Sequence, residues 1–429
     1  AARVFIQFAL QYLSVEFLPP FDLWHSEAMP YLLLFTLQCI LLALMVWGAF
    51  AIPSARHWPR LGRVVCVFGL VYLASMILRL VIGLGGFSDR LWFEGAVPTA
   101  IHFVLIAYVL VFAAGLDNYN PDTRGFAVRI LTVVGYPLVL VTGYLQFIWM
   151  LKVGAPLMFS AYLTVLIGAT MILLHETFAS YRGDWKPDKN ELIADGFFLA
   201  FVQVGVPAVL KVGVLLLLVW LSGKTSGWSS PWPQQAPVLV QVLMMMVIAE
   251  FFRYWIHRAS HTFIPLWKLH AVHHAATRLY TVNVGRFHPL DKTIQFVGDT
   301  FPFLLLGVSA EVFATYFVVY ALNGFYQHSN ASVKLGLFNW IIAGPELHRW
   351  HHSVIYREGN SNFGNNLIVW DSVFGTRYLP RDETVEKVGI GNLQWPGGFL
   401  AQLVAPFTTP THGSSGAVAG ETAPSSTKD

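Results

Sequence analysis

Long apolar runs broken by short polar joints dominate the first 260 residues. They lie at about 31 to 52, 64 to 84, 96 to 116, 126 to 151, 157 to 174, 197 to 221 and 236 to 256. As helices, most are long enough to cross a hydrocarbon core of about 30 Å, so the pattern predicts seven membrane spans. A further apolar stretch, Pro289 to Gln327, is interrupted at Gly307-Val308-Ser309-Ala310-Glu311. It predicts two short helices of about 18 residues, the second capped by Ser309. Such a hairpin returns the chain to the face it left and brings the total to about nine spans. Ahead of the first run, Val4 to Leu18 is weakly amphipathic and ends at Pro19-Pro20, as an interfacial segment would. Beyond Pro380 the pattern turns polar, and the Gly/Ser/Ala/Thr-rich end from about Thr411 to Asp429 is expected to be disordered.

Composition sharpens this reading. Of 429 residues 55% are hydrophobic and 12% charged, about half the charged share of a soluble domain, which excludes a soluble globular enzyme. A net charge of +3 with no basic block excludes a nucleic-acid binder. Cys39 and Cys66 both fall in apolar runs, so there is no disulfide framework and no cysteine-based zinc site. Alternate loops differ in basic residues. One set carries Arg56, Arg60, Arg63, Arg124, Arg182, Lys186 and Lys189, the other only Arg90, Lys152 and Lys224. Positive charge is retained in the cytoplasm, which places the N-terminus outside and everything after the seventh span in the cytoplasm. Arg79, inside the second span, is expected to snorkel toward a headgroup.

The histidines are not scattered. Ten of 15 lie between His257 and His352. His257-Arg258-Ala259-Ser260-His261 puts two imidazoles one helical turn apart on one face. His270-Ala271-Val272-His273-His274 and His348-Arg349-Trp350-His351-His352 share an H-x-x-H-H spacing, and His328 stands alone after the proposed hairpin. One metal takes four to six donors, so eight or nine histidines suit two ions. Two irons on neutral nitrogen donors could activate dioxygen for attack on an unactivated C–H bond, whereas zinc has no redox chemistry. A histidine-rich metal transporter or haem-binding carrier is the non-enzymatic alternative. It would need polar groups along the membrane path, and the first and fifth runs contain no Asp, Glu, Lys, Arg or His.

With these boxes in order, the chain resembles the fatty acid hydroxylase and sterol desaturase superfamily of integral membrane non-haem diiron enzymes. The resemblance spans about residues 190 to 380. Besides the three boxes it rests on Arg286-Phe287-His288-Pro289-Leu290-Asp291, on Gln327-His328-Ser329-Asn330 and on Trp370-Asp371-Ser372-Val373-Phe374-Gly375-Thr376. It implies an all-α, polytopic transmembrane bundle with a cytosolic histidine-rich cap, two iron ions, dioxygen as co-substrate and an external electron donor. Its metal ligands fall on His257, His261, His270, His273, His274, His328, His348, His351 and His352. His288 is the catalytic candidate, open to roles as ligand, as hydrogen-bond partner behind a ligand, or as substrate contact. Pro289 beside it could simply start a helix. Asp291 and Asn330 are candidates to orient imidazoles from behind, and Trp370 and Asp371 to pack the cap. Fused members carry a cytochrome b5 module with an H-P-G-G motif, whereas here His288-Pro289 continues as Leu290-Asp291. Electrons are therefore expected from a separate protein of cytochrome b5 or ferredoxin type.

The expected organisation is an N-terminal transmembrane extension at 1–185, a diiron domain at 186–382 and a polar tail at 383–429. The expected activity is dioxygen-dependent hydroxylation of a C–H bond in a fatty acyl lipid or sterol-like substrate drawn from the bilayer. Desaturation on the same site is the nearest alternative.

Overall fold

The computed structural model describes residues 30–51, 58–85, 96–117, 125–222, 230–381, 383–391 and 395–408. The expected interfacial segment Val4 to Leu18 and the tail from Thr411 lie outside the described residues. Every one of the seven apolar runs is helical. The helices are α1 (Tyr31–Ala51), α2 (Pro59–Gly85), α3 (Ala96–Asp117), α4 (Phe126–Lys152), α5 (Leu157–Phe178), α6 (Lys189–Phe197) leading through a π-helix (Phe198–Gly205) into α7 (Val206–Ser222), and α8 (Val238–Thr262). After them come α9 (Ile264–His274), a 3-10 turn (Thr281–Gly285), α10 (Pro289–Asp299), α11 (Phe301–Leu305), α12 (Ala310–His328), a second 3-10 turn (Gly336–Trp340), α13 (Pro345–His351), α14 (Tyr356–Gly359), α15 (Val369–Phe374) and α16 (Phe399–Thr408). The fold is all-α, and no strand occurs among the described residues. By length and composition, five described helical segments can cross a membrane: Arg60–Ile82, Phe126–Lys152, Leu157–Phe178, Lys189–Leu217 and Val238–Thr262.

The chain divides into two compact units. The first holds residues up to Arg182 together with Ala310–Tyr326 and Asn330–Lys334, and the second holds Gly183–Ser309, Gln327–Ser329 and the chain from Leu335. The first unit takes in most of α12. In lipid, apolar burial gains little, and helices associate where small residues let them approach closely. Leu322 of α12 is seated this way against α4 and α5. A Cβ on Gly143 would lie 2.7 Å from one of its methyls, and a Cβ on Gly168 2.2 Å from the other. Tyr136 of α4 donates to Asn323 Oδ1 at 2.6 Å, and Tyr162 of α5 meets Phe317 edge to face. Arg79 is a correction to the snorkelling expectation. It is only 2% exposed, enclosed within this unit near Tyr72.

The second unit carries every histidine of the three boxes. Asp188 caps α6 in a reciprocal capping box with Glu191. The first limb of the expected hairpin is not one helix. It breaks at Thr300 into α10 and α11, because Pro302 lacks an N–H and its ring would strike the carbonyl four residues back. Helix α12 starts directly after Ser309. Residues 399–408 of the expected polar tail form a packed helix. Helix α16 buries Gln402, Ala405 and Pro406, and Phe399 and Leu403 pack beside Phe198, Val202, Val272 and Phe287.

Candidate metal centre

Three helices and one helix end supply the histidines. His257 and His261 occupy the last turns of α8, and His270, His273 and His274 end α9. His328 is the last residue of α12, and His348, His351 and His352 close α13. Their side-chain nitrogens gather into two groups, His257, His261, His270, His274 and His351 in one and His273, His328, His348 and His352 in the other. Within each group the ligand-capable atoms all lie within 4.8 Å of one another. All nine sequence candidates for metal binding are therefore brought together, and each H-x-x-H-H box is shared between the groups. Helical spacing explains the split, since neighbouring residues such as His273 and His274 point about 100° apart.

The hydrogen bonds behind the rings decide what the inner nitrogens can do. His257 Nδ1 is 2.7 Å from the Phe363 carbonyl, His270 Nδ1 is 2.8 Å from Asp291 Oδ2, and His351 Nδ1 is 2.7 Å from the Ser361 carbonyl. Carbonyl and carboxylate oxygens only accept, so each Nδ1 carries a proton and each Nε2 is turned into the site. Yet His257 Nε2 and His270 Nε2 stand 3.0 Å apart, and the buried His351 and His274 Nε2 atoms have no hydrogen-bond partner among the described residues. Imidazole nitrogens that converge in this way in a buried site suit a cation held among them. The second group converges likewise. His348 Nε2 lies 3.0 Å from His328 Nε2 and 3.1 Å from His352 Nε2. There the backing acceptors are Asn283 Oδ1, 3.0 Å from His328 Nδ1, and the Arg286 carbonyl, 3.2 Å from His273 Nδ1.

Burial disfavours the charged form of five of these rings. It pushes His351 down to about 3, and His273, His274, His348 and His352 well below the ordinary histidine range, reinforced by neighbouring imidazoles. Neutral imidazole is the form that binds metal. The donor set therefore fits two transition-metal ions.

Two loops hold the acceptors in place. The Ser361-Asn362-Phe363 segment turns through Asn362 at φ +54°, a left-handed conformation that asparagine tolerates better than most side chains. Asn362 donates to the Leu347 and Tyr378 carbonyls and accepts from the Tyr378 N–H. Asp371 takes the N–H groups of Phe363 and Gly364, and Glu250 of α8 takes those of Asn365 and Asn366. Asp371 and Trp370, whose indole donates to the Val247 carbonyl, pack this loop region as the sequence suggests. Asp291 orients His270. Asn330 does not orient a histidine, since its amide is exchanged with the backbone of Arg182. Asn283, which no spacing singled out, serves His328 instead.

His288 belongs to neither group. It caps α10, with Nδ1 accepting the Leu290 N–H at 3.2 Å, while Nε2 lies 3.2 Å from the Leu403 carbonyl of α16. Both ring nitrogens are engaged, and Pro289 begins the helix.

Comparison with known proteins covers the part of the chain that holds the histidines. A family model described as fatty acid hydroxylase matches residues 242–376. The ornithine lipid hydroxylase of Rhizobium tropici is 35% identical over 241 residues, covering 56% of this chain and 72% of that protein. The alkylglycerol monooxygenase of Homo sapiens is 27% identical over 161 residues, 37% of this chain but 33% of its own length. The Delta(7)-sterol-C5(6)-desaturase of Nicotiana tabacum is 27% identical over 172 residues, 38% of this chain and 60% of its own. No solved structure matches the chain. The histidine boxes, the helical fold and these relatives together make the chain an oxidoreductase that belongs to the fatty acid hydroxylase and sterol desaturase superfamily.

Proposed function

We propose that this chain is a membrane-embedded diiron oxygenase that hydroxylates a C–H bond of a lipid. One iron is held by His257, His261, His270, His274 and His351, the other by His273, His328, His348 and His352. The observation that carries the reading is the convergence of His257 Nε2 and His270 Nε2, 3.0 Å apart, with each ring fixed by an acceptor behind it. When bound, the two irons would supply dioxygen activation and hydrogen abstraction from an unactivated carbon. The balance is one substrate C–H, one dioxygen, two electrons and two protons giving one C–OH and one water. The protein's part is to hold nine imidazoles in register and to keep bulk water from the buried groups.

The two electrons come from a separate redox protein, for which cytochrome b5 and ferredoxin types are the candidates. The similarity to an ornithine lipid hydroxylase makes polar membrane lipids, ornithine lipids first among them, the substrates to try. Desaturation remains the second reading, supported by the similarity to a sterol desaturase. It consumes the same oxidant and electrons but removes a second hydrogen in place of forming C–OH. About nine spans, with the histidine cap on the cytoplasmic face, is the topology favoured by the loop charges. His288 enters as a positioning residue. It ties α16 to the start of α10, the helix that presents Asp291 to His270.

Lipid extracts from cells with and without the intact gene test the activity. Gain of one oxygen atom in a lipid class supports hydroxylation, loss of two hydrogens supports desaturation, and unchanged lipid profiles would contradict both.

A further inference from the structure

Resting on the two-ion reading, we propose that a buried clamp of Asp195, Tyr280 and Arg286 sets the four-histidine group and leaves the five-histidine group untouched. Asp195 lies on α6, outside the stretch matched by the family model, and is fully buried. Arg286 grips it with two bonds, Nε to Oδ1 at 2.6 Å and Nη2 to Oδ2 at 2.7 Å, and the Tyr280 hydroxyl donates to Oδ2. One carboxylate thus fixes both ends of the loop Tyr280 to Arg286, with the planar two-point geometry that arginine gives. Between the anchors the loop lies directly on the π-helix. A Cβ on Gly285 would sit 2.6 Å from Leu199 Cα and 2.8 Å from Leu199 N.

This loop presents the two acceptors behind the four-histidine group, Asn283 Oδ1 to His328 and the Arg286 carbonyl to His273. Asn283 is itself held by its own amide, which donates to the Arg278 carbonyl at 2.8 Å. Phe287, the next residue, stacks on His273 with ring centres 4.1 Å apart. The five-histidine group draws its acceptors from elsewhere, namely Phe363, Ser361 and Asp291. Asp195 touches no imidazole, so it acts through the loop as a positioning residue. Removing one partner of a buried ion pair strands the other charge, and the loop must then move.

The test is an anaerobic cobalt(II) titration of the purified full chain, reading ions per chain, the visible spectrum of each bound ion and thermal unfolding. Wild type should take up two ions. Asp195→Asn should weaken one of them about ten- to a hundredfold, the scale of changes behind metal ligands, and leave the other at wild-type affinity. The spectrum of the retained ion should match that in His328→Ala and differ from that in Asp291→Asn. Should Asp195→Asn fail to fold, Gly285→Ala, which keeps both charges and lifts the loop off Leu199, should give the same selective loss. Equal weakening of both ions, weakening of neither, or a retained ion that matches Asp291→Asn would overturn the clamp. Fewer than two ions in wild type would remove the two-ion reading itself, and the clamp with it.

Discussion

The five-histidine and four-histidine groups share two sequence boxes but not their support. The first is backed by a buried carboxylate, Asp291, and by two carbonyls of the Ser361 to Phe363 loop, while the second is backed by an amide oxygen and one carbonyl of the Tyr280 to Arg286 loop. A carboxylate behind an imidazole makes it more basic and a stronger donor. In the four-histidine group the buried Nδ1 atoms of His348 and His352 have no partner among the described residues. On the proposed diiron reading, the two metal positions would be unequal in donor number and in donor strength. A pair of ions that accepted electrons and handled dioxygen together would gain from this, because unequal sites can divide those tasks.

The strongest way to break the comparison is to remove a ligand from each side. His351→Ala and His273→Ala should each abolish turnover, and each should lose the ion of its own group, read as iron per chain beside product formation. Full activity in either variant would contradict the diiron reading. Next comes Asp291→Asn, which keeps the shape behind His270 but removes its charge. It should weaken iron at the five-histidine group about ten- to a hundredfold, measured by competition with a chelator. An unchanged affinity would mean that the carboxylate does not distinguish the groups.

Acidification gives a smaller and graded effect. His351 is held at about 3 by burial, while an unfolded histidine titrates near 6.5. The unfolded chain binds more protons between those values, so the metal-free protein should be fully stable above about pH 6.5 and lose stability as pH falls toward 3. The unfolding temperature of metal-free protein in detergent, followed from about pH 7 to pH 5, checks this, and a flat profile would contradict it. The smallest effect on metal is expected at His288. His288→Ala should retain both ions and lower turnover about tenfold, the lower end of outer positions. Loss of iron comparable to that in His273→Ala would make it a ligand after all.

How much of this was legible follows from distance along the chain. The helices were legible because hydrophobic length is a local property, and all seven runs are helical. The nine clustered histidines were legible because helical spacing puts their boxes on few faces. The division into groups of five and four was not, since it depends on how four separate helix ends converge. Asp291 could be suspected from its place beside His288, whereas Asn283 and Asp195 carry no spacing signal. They meet the site only through the folded loop. Helix α16 was missed because its ten residues, with Pro406 inside, are too short for a span and follow a polar stretch. Arg79 was misread because snorkelling assumes a lipid-facing position, and packing against neighbouring helices encloses it.

Mössbauer spectroscopy of the purified chain, loaded anaerobically with ferrous iron, tests the central claim most directly, since it counts iron sites and separates unequal ones. Two irons per chain should appear as two ferrous sites of equal area with different quadrupole splittings, one of them disappearing in His351→Ala and the other in His273→Ala. A single iron per chain, or one site that survives both substitutions, would contradict a diiron centre divided between the two histidine groups.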